Sequence, residues 1–186
     1  STNLAVKIFK QYGDTSLQVV QENPYQLERD IYGIGFKTAD RIAQALGLSP
    51  EHPSRIEAGI VFALNETINQ GHVYVPNGML VQRAIELLEV SHELIQPGLE
   101  RLEGQERVRQ EKLPRPNGRD DEIMDVVYLT PLYFGEVGVA ERIKALTKAQ
   151  SPLFTQYELP ETGIALSDEQ EQAVRMALEH PVSILT

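Results

Sequence analysis

Two glycines flanking one apolar residue, Gly33-Ile34-Gly35, join two segments whose apolar residues recur at helical spacing, and this junction restricts the fold more than any other feature of the chain. Leu27 and Ile31 lie four apart before the glycines; Ala39, Ile42, Ala43 and Leu46 follow them with a helical period. Glycine accepts positive φ and lets another backbone approach closely. A helix that starts just after it exposes unpaired N–H groups at its positive end, which suits an anion without help from a side chain. The spacing predicts an αα-hairpin with a glycine turn. On residue pattern alone, a hairpin that binds nothing stays open beside one that binds phosphate.

An internal repeat adds weight. Ala5-Val6-Lys7-Ile8 followed by Gly13 has the same Ala-x-basic-Ile…Gly spacing as Ala39-Asp40-Arg41-Ile42 followed by Gly47. Self-similarity at a fixed period marks a repeated supersecondary unit. The first copy begins inside its second helix, so its own glycine hairpin is expected to precede Ser1 and the chain reads as an excised piece.

This pattern resembles the helix-hairpin-helix domain, a DNA-binding module of repair and replication proteins. The resemblance implies that the turn sets backbone amides against phosphate oxygens without reading base sequence. Gly33, Ile34 and Gly35 match the turn, and Lys37 and Thr38 match the start of its second helix. Ile34 is then the apolar plug between the helices. Phe36 departs from the proline or small polar residue common at that place, which leaves the width of the DNA groove open.

Composition limits the partners. The net charge of −10 disfavours nucleic acid at first sight. Its distribution matters more: residues 1–50 hold five Lys/Arg against five Asp/Glu, and residues 51–186 hold twelve against twenty-two. The hairpin region is thus neutral, and weak, salt-sensitive DNA binding is expected of it. The acidic remainder is the place for a protein partner, which gives a scaffold module of a DNA repair complex as the second reading. No apolar run approaches the length of about 18 residues that a membrane span needs, so no membrane partner is expected. The absence of cysteine excludes disulfides, thiolate metal sites and thiol catalysis and fits a reducing cytoplasm.

Along the chain, Asp14 is placed to cap a helix over residues 15–22, and Asn23-Pro24 to start the next. Ser54 and Glu57 have capping-box spacing before an apolar face of Ile56, Ile60, Val61, Leu64 and Ile68. A short strand at His72–Val75 follows. Asn77 is placed to cap a helix to Leu88, and Ser91 one to Leu102 with a kink at Pro97-Gly98. Two strands, Arg107–Lys112 and Ile123–Leu129, enclose a turn-rich loop. That order is the order of a winged helix. Its third helix, about residues 92–103, carries Glu93, Glu100 and Glu103 against Arg101, which argues against entry into a DNA groove. The six basic residues within 101–119 are followed at once by acidic ones, so a solvated hairpin is the expectation for the wing. His52, His72, His92 and His180 are too scattered for a metal site and read as surface or capping residues. No nucleophile-elbow serine or catalytic carboxylate pair stands out.

The last residues have their own signature. Leu166-Ser167-x-x-Gln170-x-x-Ala173-Val174 heads a helix, and Val182–Leu185 reads as a strand. Ser167 and Gln170 also have plain capping-box spacing. The Leu-Ser-x-x-Gln-x-x-Ala-Val run resembles the adenine-recognising motif at the head of superfamily-one helicases, which makes Gln170 the nucleotide-binding candidate. No G-x-x-x-x-G-K-[ST] phosphate loop occurs in the 186 residues.

Taken with Gly-Ile-Gly-Phe-Lys-Thr-Ala-Asp-Arg-Ile-Ala and the Arg-Ile-Glu-Ala-Gly-Ile helix, these features resemble the N-terminal region of RecD-like superfamily-one DNA helicases (exodeoxyribonuclease V alpha-subunit-like). The resemblance implies a mainly α chain with a small β component. A tandem helix-hairpin-helix domain at 1–50, its first unit truncated, precedes a winged-helix-like segment plus helix at 51–150. A linker at 151–165 and the first helix and strand of a RecA-like motor at 166–186 complete it. The resemblance further implies a non-catalytic piece of an ATP-dependent 5'-3' helicase, with ATP and magnesium handled by sequence downstream and no cofactor on this piece. Single-stranded or junction DNA, bound without regard to sequence, is the implied partner.

Overall fold

The computed structural model describes residues 2–116, 119, 122–148 and 166–185. The chain divides into two compact units, residues 1–133 and 134–186. The linker expected at 151–165 lies outside the described residues.

The first unit opens with helix α1 (Thr2–Tyr12), a 3-10 turn (Gly13–Thr15) and α2 (Ser16–Glu22). Asp14 does not cap α2; the Ser16 hydroxyl instead donates to the Gly13 carbonyl and tightens the turn. The Asn23 carboxamide oxygen accepts from the Tyr25 amide at 3.1 Å and leads into α3 (Gln26–Asp30). After the glycine turn comes α4 (Phe36–Ala45). Gly13 and Gly47, the paired glycines of the repeat, both hold left-handed φ, at 56° and 77°. The repeat in sequence is therefore a repeat in backbone conformation.

Helix α5 (Pro53–Ile68) follows. The expected capping box is not made: Pro53 fills the first position, and the His52 ring nitrogen accepts from the Ser54 amide at 3.3 Å. Glu57 is consequently free to bind Arg101 and Gln105 across the unit. Strand β1 (Tyr74–Pro76), α6 (Asn77–Leu88), a 3-10 turn (His92–Leu94), α7 (Ile95–Gly104), β2 (Val108–Pro114) and β3 (Ile123–Leu129) come next. The strands form one antiparallel sheet in the order β1-β3-β2, with Tyr74 opposite Tyr128 and Val108 opposite Leu129. This connectivity is that of a winged helix. Asn77 is the first residue of α6 and caps nothing; Pro76 occupies the cap position.

The main core is built by α5, α6 and α7. Ile56, Ile60 and Leu64 meet Leu80, Ala84 and Leu88 from α6 and Ile95, Leu99 and Leu102 from α7, all essentially inaccessible. Val61 and Ile68, expected on the same face, sit at its margin. Val75, Val108 and Val127 close the core from the sheet. On its other face, the Tyr128 ring lies 5.5 Å from the rings of both Tyr74 and Tyr133.

Pro97-Gly98 does not interrupt α7. Proline is accommodated in the first turn of α7, where no intrahelical N–H is needed. Gly98 is a close-packing residue: a Cβ there would lie 2.8 Å from both Ile56 Cγ2 and Ile60 Cδ1. Gly59 plays the matching part on α5, where a Cβ would lie 2.5 Å from Leu88 Cδ2. Gly59→Ala is expected to cost a net ~1–3 kcal/mol through overpacking, even though alanine favours the helix. Urea unfolding measures this, and an unchanged midpoint would mean that Leu88 repacks freely.

Helix α8 (Thr130–Lys148) runs into the second unit, which also contains α9 (Asp168–Glu179). Ser167 and Gln170 make a reciprocal capping box at the start of α9. Residues 182–185, expected as a strand, form none among the described residues. A single strand needs a neighbour to satisfy its ladder, and these described residues provide none.

Candidate nucleic-acid interface

The glycine hairpin is held from beneath. Leu27, Ile31 and Ile34 form a buried cluster separate from the main core, packed by Leu4, Ile8 and Tyr12 of α1 and by Val20 and Ile42. Ile34 is 3% exposed, which makes it the plug that the sequence predicts. Its amide donates to the Ile31 carbonyl at 3.1 Å and closes the turn. Gly33 holds φ at 86°, a conformation costly for any residue with a Cβ.

Gly35 (φ −99°, ψ 173°) is the cap residue of α4. The first helical hydrogen bonds run from the Thr38 and Ala39 amides to its carbonyl, at 2.9 and 3.1 Å. The amides of Gly35, Phe36 and Lys37 therefore have no helical acceptor and stand at the positive end of the helix dipole. Gly33, Gly35 and Lys37 are exposed, and Thr38 is half-buried. The turn thus brings together the five predicted residues Gly33, Ile34, Gly35, Lys37 and Thr38, with Ile34 acting from inside.

Phe36 faces inward. It is 2% exposed and stacks between Tyr25 and Phe62, with ring centroids 6.0 and 5.2 Å away. Its size serves the contact between α4 and α5 rather than the surface of the turn. The Lys37 ammonium lies 5.6 Å from the centre of the Phe62 ring, a cation–π distance that steadies the charge beside the free amides.

Lys7 is a contributor that the motif did not reveal. Its ammonium donates to the Tyr32 carbonyl at 3.4 Å and comes within 3.2 Å of where a Cβ on Gly33 would be. The signal was present in the repeat, which puts Lys7 in the slot of Arg41. On the far side of α1, the Tyr12 hydroxyl donates to Asp30 at 2.7 Å. Burial, and then that bond, push the Tyr12 hydroxyl up to about 12, while the bonds from Tyr12 and Gln26 hold Asp30 below the usual carboxylate range.

Asp40, inside the quoted motif, faces away from the turn. Its carboxylate accepts from Arg55 Nε at 2.8 Å, Tyr25 Oη at 2.6 Å and Gln44 Nε2 at 2.9 Å. Arg55 also donates to the Pro50 and Leu88 carbonyls, each at 2.9 Å. Burial raises the Asp40 pKa, but the bonds from Arg55 and Tyr25 outweigh it and leave the carboxyl below its ordinary value. This network fixes the hairpin's second helix to the winged module.

Among the described residues, three basic side chains along β2 and just after it face acidic partners. Lys112 pairs with Asp125, Arg115 with Glu122 and Arg109 with Glu106. On α7, Arg101 is taken by Glu57, and Glu103 accepts from Gln110. No group of His, Asp or Glu suited to a metal occurs among the described residues. In the second unit, Gln170 is exposed and its side-chain oxygen accepts from the Ser167 amide at 3.0 Å. The capping role is the one the geometry displays.

The family model described as the ATP-dependent RecD2 DNA helicase HHH domain matches residues 1–74. An ATP-dependent RecD2 DNA helicase of Deinococcus radiodurans is 31% identical over 101 residues, which cover 54% of this chain and 13% of that protein. The chain therefore spans a small part of the relative's length. It is similar to the N-terminal region of a RecD-like helicase, and the similarity to the helix-hairpin-helix domain lies in its first 74 residues.

Proposed function

We propose, from the match of residues 1–74 to the RecD2 helix-hairpin-helix family model, that this region is the DNA-engaging, non-catalytic part of an ATP-driven helicase. The Gly33-Ile34-Gly35 turn holds a backbone phosphate through the amides at the start of α4, with Lys37 and Lys7 adding charge and Thr38 a hydroxyl. The observation that supports this most is the left-handed Gly33 beside three amides that lack a helical acceptor, all fixed over a buried Ile34. Such a contact neutralises phosphate and reads no base edge. ATP binding and hydrolysis, with magnesium, belong to a motor domain of which α9 is the first helix. Gln170 would exchange its cap bond for the adenine edge once that domain is assembled, and 5'-3' translocation on single-stranded DNA would follow from the motor.

Binding of a fluorescent duplex and of a single strand, titrated with salt, tests the contact. Lys37→Glu is expected to weaken affinity by about tenfold or more, by placing a carboxylate beside phosphate, and to flatten the salt dependence. Gly33→Val with Gly35→Val should lower affinity further, because valine strains φ at 33 and crowds the amides. Folded variants that bind like the native chain would remove the hairpin from the interface.

A further inference from the structure

Tyr32 is 100% exposed, the highest value among the large apolar side chains of the described residues. Its ring has no aromatic neighbour, and its hydroxyl has no hydrogen-bond partner, among those residues. Its backbone is nevertheless fixed. Buried Ile31 precedes it, left-handed Gly33 follows it, and the Lys7 ammonium holds its carbonyl. An aromatic ring standing alone in water on a pinned backbone presents both faces to a partner.

We infer that Tyr32 is a stacking platform for an unpaired base, so that the hairpin selects duplex ends that continue into a single strand. This rests on the phosphate-contact reading above and names the DNA structure that the contact prefers. Gly35 is three positions after Tyr32, and an extended chain covers at most about 11 Å over that length. A phosphate on the Gly35–Lys37 amides therefore leaves its own base, or the adjoining one, within reach of the ring. Inside a duplex, base faces are occupied by their neighbours, and at a blunt end the free face belongs to a base held in its pair; an unpaired nucleotide can turn its base onto the ring without breaking a pair. Stacking ignores base identity because every base has a π-face, which agrees with a contact that reads no sequence. Lys7 and Lys37 give the flanking phosphates their counter-charge.

The test compares, by fluorescence anisotropy at low salt, the affinity of the full chain for a blunt duplex and for the same duplex with a single-stranded tail. The native chain is expected to prefer the tailed duplex by about 5- to 150-fold, the range spanned by one base stacked on an aromatic ring. Tyr32→Ala should bring the tailed affinity down towards the blunt one, and Tyr32→Phe should retain the preference because it keeps the ring. Gly33→Val with Gly35→Val should weaken both substrates together. Equal native affinity for the two DNAs overturns the stacking role and leaves the phosphate contact standing. A preference that survives Tyr32→Ala, or one that Tyr32→Phe abolishes, overturns it as well. Failure of the native chain to bind either DNA overturns the phosphate contact itself, and the stacking role with it.

Discussion

Arg55→Ala is expected to destabilise the first unit by about 3–5 kcal/mol, the range for breaking one side of a buried ion pair. Arg55 is 8% exposed and makes four hydrogen bonds, two to Asp40 and one each to the Pro50 and Leu88 carbonyls. Alanine removes them all. The Leu88 carbonyl then ends α6 without its guanidinium donor, and the Asp40 carboxylate keeps only Tyr25 and Gln44. Urea unfolding followed by circular dichroism measures the loss; a change below about 1 kcal/mol would show that water replaces the guanidinium without cost.

The same variant carries a pH signature. In the folded protein Asp40 titrates below its ordinary value of 3.8: burial pushes it up, and the bonds from Arg55 and Tyr25 pull it down further. A carboxyl depressed on folding contributes stability that is complete above the unfolded pKa and is lost as pH falls through the folded one. The native chain should therefore lose this stability as pH falls below the ordinary carboxyl value of 3.8. Without Arg55 the largest opposing contribution is lost and only the bonds from Tyr25 and Gln44 work against burial, so this part of the acid loss should shrink. Parallel acid profiles for the native chain and Arg55→Ala would assign the loss to other carboxylates.

Ile34→Ala is expected to cost about 2–5 kcal/mol, and to do so locally. The Leu27–Ile31–Ile34 cluster is distinct from the main core, and α4 has one side on each: Ile42 on the small cluster, Phe36, Ala39 and Ala43 on the large one. A cavity under the turn should speed amide hydrogen exchange over residues 27–42 while α5, α6 and α7 stay protected. DNA affinity should fall with it, because the amides lose their fixed position although every one of them is still present. Equal loss of protection in α5–α7 would mean that both clusters open as one cooperative unit.

Much of this was legible in the sequence, for a physical reason. The Gly-Ile-Gly turn, the buried plug at Ile34 and the capping box at Ser167 depend on residues within a few positions of one another, where backbone sterics and helix-end hydrogen bonding decide the outcome. The helix faces and the order of strands follow from periodicity in the same way. The misread positions were those whose meaning is set from far along the chain. Phe36 read only as a departure from the motif, but Tyr25 and Phe62 take its ring into the core. Pro97-Gly98 read as a kink, but Ile56 and Ile60 occupy the space that a side chain at 98 would need. Glu57 read as half of a capping box, but Arg101 and Gln105 claim its carboxylate.

Asp40 and Arg55 show the division most clearly. Each is an ordinary charged residue on a helix, fifteen positions from the other, and no local rule joins them. Only the packing of α4 on α5 removes both from water, and removal from water is what makes the pair consequential. The sequence by itself determined the local geometry of the turn, its left-handed glycine and the unpaired amides at the start of the helix after it. The tertiary structure decided which side chains support that turn from within and which, Lys7 and Tyr32 among them, stand at its surface, because burial and charge pairing are properties of surfaces that meet only after folding.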